Sequence, residues 1–137
     1  MIRQEILYHP NTHIIKEYKE YSHDSLIVHE IYDEQEQLIS IRTPLEERKY
    51  HQGQLHGEQI EYHDNGTPKT KRNYINGILH GKTIKYYENG QIFTEADYTN
   101  NIIGEIKIYL PNGERYKKVE LRKEQLRWER IHDTTRS

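Results

Sequence analysis

The sequence predicts an all-β fold: antiparallel β-hairpin repeats with a 24-residue period, laid side by side as a meander or solenoid-like twisted sheet. Three observations carry this. Tyr50-His51-Gln52-Gly53-Gln54-Leu55-His56-Gly57 returns 24 residues later as Tyr74-Ile75-Asn76-Gly77-Ile78-Leu79-His80-Gly81, and again as Tyr98-Thr99-Asn100-Asn101-Ile102-Ile103-Gly104. A second anchor recurs with it: Tyr62-His63-Asp64-Asn65-Gly66, Tyr86-Tyr87-Glu88-Asn89-Gly90 and Tyr109-Leu110-Pro111-Asn112-Gly113. Between the anchors lie short alternating runs such as Glu58-Gln59-Ile60-Glu61-Tyr62 and Lys82-Thr83-Ile84-Lys85-Tyr86, the pattern of half-buried strands.

Each element follows from its residues. Asn-Gly is a hairpin signal because a type I′ turn needs positive φ at both central residues, so type I′ turns are expected at Asn65-Gly66 and Asn89-Gly90. The glycines of Gly-x-Leu-His-Gly supply further positive φ or a bulge. Ile60, Tyr62, Ile84, Tyr86, Ile92, Ala96 and Tyr98 are read in one inward phase, the core of the sheet. The third copy is one residue short. Placing Ile106, Ile108 and Leu110 inward puts the deletion in the hairpin at Leu110-Pro111-Asn112-Gly113 and keeps Lys107 out of the core. Thr43-Pro44-Leu45-Glu46-Glu47-Arg48 is an insertion, and Pro44 argues for a loop or short helical turn there. Roughly ten to eleven strands of ordinary length result.

One domain spans residues 1–137: degenerate N-terminal repeats at 1–49, three clear repeats at 50–113, and a degenerate C-terminal cap at 114–137. Tyr21 to Leu26 and Leu121 to Leu126 keep the repeat spacing with Asp24 and Glu124 in place of glycine. Residues 1–49 carry six Lys/Arg against ten Asp/Glu, and residues 50–137 carry fourteen against twelve. Neither half has the charge of a general nucleic-acid binder. Cysteine is absent, which excludes disulfides and fits a cytoplasmic location. No segment has the length and apolarity of a membrane span.

The pattern Tyr-x-Asn-Gly-x-Leu-His-Gly followed by Tyr-Tyr-x-Asn-Gly resembles the MORN-repeat variant of bacterial proteins, most closely over Tyr74 to Gly90. That resemblance implies a binding protein without a catalytic centre. It further implies a toxin–antitoxin or immunity-type antitoxin that neutralises a cognate toxin or effector by direct contact. Two other readings stand beside it: a self-associating scaffold or homo-oligomer, and an anionic-lipid or envelope-associated binder using Lys69, Lys71 and Arg72.

The residues themselves support the non-catalytic reading. Nine histidines invite a metal hypothesis, but His56 and His80 recur at one turn position, and alternation places His51 and His56 on different faces; a structural role is expected, with no metal and no cofactor. The serines lack a nucleophile-elbow context, and no carboxylate pair is placed in a cleft. The expected partner is a protein, contacted by aromatics outside the inward phase, Tyr87 and Phe93, extended by Tyr109, Tyr116 and Trp128 and rimmed by Lys85, Glu95 and Asp97.

Overall fold

The computed structural model describes residues 1–116. Trp128 and the copy at Leu121 to Leu126 lie outside the described residues. Twelve strands follow in chain order: β1 (Ile2–Tyr8), β2 (Ile15–Ser22), β3 (Ser25–Tyr32), β4 (Leu38–Arg42), β5 (Glu46–His51), β6 (Gln54–Leu55), β7 (Gly57–Tyr62), β8 (Pro68–Ile75), β9 (Ile78–Leu79), β10 (Gly81–Tyr86), β11 (Ile92–Thr99) and β12 (Ile102–Ile108). All join one open sheet in the order β1-β2-β3-β4-β5-β7-β8-β10-β11-β12, with β6 on β5 and β9 on β8. Every pairing is antiparallel, and the described residues contain no helix. The repeat meander therefore runs through the degenerate copies at the N-terminal end, and β6 and β9 are two-residue arms beyond the strands expected.

Cross-strand partners sort the side chains onto two faces. Glu46, Glu61, Thr70, Lys85, Thr94 and Ile108 form one row across the sheet. Thr83 opposite Ala96 lies on the same face, and so does Gln59, two residues from Glu61. The four most buried of the described residues are all here: Thr70 at 4%, Thr83 at 5%, Ala96 at 8% and Gln59 at 9% exposure. Ile60, Lys71, Ile84, Glu95 and Lys107 form the opposite row.

This corrects the expected inward phase. Ile60, Tyr62, Ile84 and Tyr86 share a face but are only half-buried, and Ala96 and Tyr98 occupy the other face. The cause is a bulge. The β10–β11 register shifts between Lys85 and Tyr86, so Ile92 pairs with Tyr86 while Thr94, Ala96 and Tyr98 fall out of its phase. Among the described residues the sheet is a single layer, with no opposing layer to cover an isoleucine. The deepest positions are short side chains shaded by longer neighbours.

The turn types are also exchanged relative to expectation. Type I′ geometry occurs at Asn76-Gly77 (φ 48° and 82°), Gln52-Gly53, Asn100-Asn101 and His23-Asp24, each with both residues at positive φ. At Asn89-Gly90 only Gly90 is left-handed, at φ 90°. Its N–H donates to Tyr87 O at 3.0 Å, and Tyr87 N–H donates to Gln91 O at 2.8 Å. That is a type I turn closed by a left-handed glycine, the longer hairpin solution. Asn65-Gly66 and Asn112-Gly113 repeat it, and Glu36 (φ 64°) takes the glycine place after Tyr32. Asn89 Oδ1 accepts from Gln91 N at 2.9 Å, so asparagine serves here through its side chain.

Two register findings complete the fold. In the third copy Lys107 takes the place of Ile84, opposite Glu95, and Tyr98 pairs with Ile103. The missing residue therefore falls between Ile103 and Lys107, at the second-glycine junction, and the hairpin at 110–113 is complete. Lys107 is half-buried on the face of Glu95, so no bare charge enters the core. In the insertion, residues 43–45 form a tight turn with Thr43 N–H donating to Glu46 O at 2.8 Å, and Glu46, Glu47 and Arg48 belong to β5. This extra reversal turns the repeat over. The row Ile6, Tyr18, Glu30, Ile41 and Arg48 carries the face of Thr70 back to β1. Tyr21 alternates out of that row, whereas its equivalents Tyr74 and Tyr98 lie within it, opposite Gly57 and Gly81.

Gln59 closes the seam where β5 and β7 share only two residue pairs. Its Oε1 accepts from Lys49 N at 2.7 Å, and its Nε2 donates to Lys49 O at 3.0 Å. The side-chain amide thus replaces a rung of backbone ladder. Gln59→Ala is expected to cost about 1–3 kcal/mol, because the Lys49 N–H loses its acceptor, while Lys49 O keeps only the His56 N–H; chemical denaturation measures it. Gly90→Val should cost more than ~1 kcal/mol, since a β-branched residue is strained at positive φ, while Gln91→Val beside it stays near neutral. Equal melting temperatures for the last two would contradict the turn assignment.

Candidate functional site

Five of the aromatic and charged residues singled out in the sequence meet at the β10–β11 hairpin and the following strand. The rings of Tyr87 and Phe93 lie 4.8 Å apart at 42°. Tyr87 O–H donates to Tyr109 O at 2.7 Å, and Tyr109 O–H donates to Glu95 Oε1 at 3.3 Å. Glu95 also takes Lys82 Nζ at 3.2 Å, which with the same carboxylate's charge raises the lysine pKa. Burial raises the Tyr87 phenol pKa, helped by Tyr116. Asp97 stands exposed opposite Lys82, on the Glu95 face. Lys85 is not part of this group, because it pairs with Thr70 and Thr94 on the other face. Tyr116 enters beside β12, its N–H donating to Ile108 O at 2.9 Å.

The Tyr87 position recurs as a clamp between repeats. His63 Nε2 lies 3.0 Å from Tyr86 O, and His9 Nε2 lies 3.0 Å from Tyr32 O, each reaching the next unit's tyrosine carbonyl as Tyr87 reaches Tyr109 O. A second clamp lies at the other turn. His56 Nδ1 accepts from Asn76 N at 3.1 Å, and His80 Nδ1 accepts from Asn100 N at 3.4 Å. The rings of His51 and His56 come within 5.4 Å of each other. The intervening two-residue turn folds them together, which alternation along an unbroken strand does not capture.

The opposite face carries a feature that no single motif announced. Tyr50, Tyr74 and Tyr98 lie on the face of Gln59, Thr70, Thr83 and Ala96, one per regular repeat and each half-buried. Short side chains sink the middle of the sheet into a trough, and the tyrosines stand along it. A hollow of about 290 Å³ opens here between Arg48, Leu55, Gln59, Glu61, Arg72 and Tyr74. Arg72 Nη1 contacts Glu61 Oε1 at 2.6 Å, and Arg48 Nη2 contacts Glu46 Oε2 at 3.0 Å. The trough therefore offers apolar ring surface beside paired charges of both signs, which suits a mixed protein surface. Its signal in the sequence was the 24-residue recurrence of Tyr; Arg72 stood out only within a basic stretch and Arg48 only within an insertion, because only the register brings them beside Tyr74.

The basic stretch Lys69-Thr70-Lys71-Arg72 does not form one patch. Lys71 Nζ sits 5.7 Å from the Tyr86 ring on one face, while Arg72 pairs with Glu61 on the other. Alternation divides the cations between two sides of the sheet.

Tyr87→Phe keeps the ring against Phe93 and removes only the donor to Tyr109 O. A loss of about 0.5–1.5 kcal/mol in unfolding free energy is expected, the net worth of one hydrogen bond. Phe93→Ala should cost more, since it removes packed ring area. Denaturant melts of the two variants against wild type decide the order.

Comparison with known families matches the description MORN repeat variant to residues 55–76 and 79–100. Each match begins at the leucine after a type I′ turn and ends at the first residue of the next, so it spans one long hairpin, β7–β8 or β10–β11. No curated protein matches the chain. MORN repeats are protein- or lipid-binding modules. Two adjacent hairpins in the C-terminal half of the strand order thus match the MORN repeat variant, a binding-type module.

Proposed function

We propose that the protein is a non-catalytic module that binds a partner protein along the tyrosine trough of its three regular repeats. The observation that carries this reading is the row Tyr50, Tyr74 and Tyr98 above the sunken floor of Thr70, Thr83 and Ala96. Tyrosine supplies large, rigid contact area with little entropy to lose, and Tyr and Arg are the residues that dominate interface hot spots. Paired Arg48 and Arg72 orient a partner's polar groups. The division of Lys71 from Arg72 weighs against an anionic-lipid surface, which calls for cations gathered on one side.

Within this reading, the role we favour is that of an antitoxin or immunity-type protein acting in the cytoplasm, which neutralises a toxin or effector by covering its active surface. Support comes from the resemblance of the repeat to that of bacterial antitoxins. Steric cover over a standard interface of ~800 Å² per partner needs no cofactor. The cluster of Tyr87, Phe93, Glu95, Asp97 and Tyr109 is a second contact surface on the same repeats, held by its own internal hydrogen bonds.

The test uses the partner captured from native cells and then purified. Tyr74→Ala with Tyr98→Ala should weaken its binding by at least ~2 kcal/mol, the usual hot-spot threshold, in calorimetric titration. Tyr87→Ala with Phe93→Ala should chiefly lower the melting temperature. If the trough variant binds as wild type while the cluster variant stays folded and loses binding, the interface belongs to the cluster instead. If neither changes affinity, the regular repeats are not the contact surface.

A further inference from the structure

Within the described residues, the first strand of the sheet has a free edge whose chemistry is complementary to itself. Among the described residues β1 pairs only with β2. His23 N–H donates to Met1 O at 3.2 Å, so Met1 and His23 are a hydrogen-bonded pair. Antiparallel pairs alternate, and Arg3 opposite Tyr21 and Glu5 opposite Lys19 therefore turn their backbone groups toward β2. The N–H and C=O of Ile2, Gln4 and Ile6 point away from the sheet. Ile2 is 56% exposed and Ile6 46% exposed. Lys and Pro, the residues that usually blunt an edge, are absent between Ile2 and Ile6, and the bulge of this pair lies beyond them at Leu7/Tyr8. The other end of the path differs, because the chain after β12 returns beside it through Tyr116 N–H to Ile108 O.

We infer that β1 is a homodimer interface, joining two copies of this chain edge to edge in an antiparallel register with Gln4 opposite Gln4 of the second copy. The register is selected by two independent conditions. Outward backbone groups belong to even-numbered residues, so an even residue must face an even residue across the two-fold axis. Three registers meet that condition near the strand centre. One sets Arg3 opposite Arg3, and another sets Glu5 opposite Glu5; both place like charges together. The third sets Ile2 opposite Ile6 and Arg3 opposite Glu5, each twice by symmetry. In it, every outward N–H and C=O of Ile2, Gln4 and Ile6 finds a partner. The isoleucines meet on one face, and the charges meet on the other.

Arg3 is already arranged for this. Its guanidinium lies 4.2 Å from the Tyr21 ring centroid and contacts Glu5 of its own strand. Stacking holds the cation at the sheet surface, so pairing with a second Glu5 costs little further ordering. The inference is independent of the trough reading, since β1 lies at the opposite end of the strand order from the regular repeats. Two joined sheets would present two troughs on one particle.

Light scattering coupled to size exclusion, run across the micromolar range, tests it with the full chain. Wild type should show twice the mass of one chain at the upper end. Gln4→Pro removes the central outward N–H, which β2 does not use, and should give single chains with unchanged circular dichroism and melting temperature. Arg3→Glu alone and Glu5→Arg alone should each weaken the dimer at least about tenfold by setting like charges opposite. Mixing those two variants in equal amounts should restore a dimer, and so should the double variant Arg3→Glu/Glu5→Arg. A wild-type mass of one chain throughout overturns the proposal. A dimer that survives Gln4→Pro, or a mixture that stays monomeric, also overturns it by placing association elsewhere or in another register.

Discussion

A sheet of one layer cannot bury its side chains against another layer, so each hairpin must be held by the edge of the next. That constraint explains why so many side chains in this protein end on a neighbouring repeat's backbone. His63, Tyr87 and His9 reach the carbonyl of the following unit's tyrosine or its equivalent, and Asn65 and Asn89 reach the turns beside them. His56 and His80 accept from the next type I′ turn. Gln59 repairs a seam between strands. Each bond is modest alone, on the order of 1 kcal/mol. Together they perform the work that apolar burial performs in a two-layer domain. Stability is then carried between nearest neighbours, as in other quasi-one-dimensional proteins.

The same constraint shows what the insertion at residues 43–45 does. A meander reverses direction at every turn, so one additional reversal exchanges the two margins of the sheet and the two faces of every later repeat. Tyr21 and Tyr74 are equivalent in sequence, yet they emerge on opposite sides. The tyrosine trough therefore begins at β5 and belongs to the regular repeats alone. The first four strands keep the hairpin chemistry, with Glu36 and Asp24 at positive φ where the regular copies use glycine. They extend the sheet without extending the trough. Their contribution is the edge they end in.

Much of the fold was legible in the residues, and the limits have physical causes. The 24-residue spacing of tyrosines and glycines gave hairpins, their order and their continuation through degenerate copies. Turn type was less legible, because Asn-Gly serves both a type I′ turn and a type I turn closed by a left-handed glycine. Only the carbonyl reached by each N–H separates them. Face assignment failed at β11, where one bulged residue at Phe93 reverses the phase of Ile92 against Thr94. The place of the deletion in the third copy is hidden for a related reason: a buried lysine is unfavourable at Ile84's position only if that face is dry, and it carries Glu95 and stays half-solvated. Of the candidate site, Tyr87, Phe93, Tyr109 and Glu95 do come together, while Lys85 departs to the trough. The rank of Tyr50, Tyr74 and Tyr98 was visible as periodicity, but its relation to Arg48 and Arg72 required the register.

Where the sheet places its smallest side chains bears on what it can bind. Short residues at Thr70, Thr83 and Ala96 let the longer side chains around them close over the middle of the sheet, so the surface offered there is made by Tyr50, Tyr74, Tyr98 and the charges beside them. Repetition then matters more than any single residue. One tyrosine per 24 residues gives contacts at a fixed stride along the sheet, which a partner must match at several points at once. Successive sites on a rigid support are engaged at high effective concentration, so modest contacts add without further loss of translational freedom. In the proposed binding mode, specificity would come from the paired charges beside the rings, because a partner that fails to meet Arg48, Glu61 and Arg72 leaves polar groups desolvated. Most of the clamps that join the repeats sit on the turns, and apart from the Gln59 clamp the trough face keeps exposed and half-buried side chains that can meet a partner without breaking them.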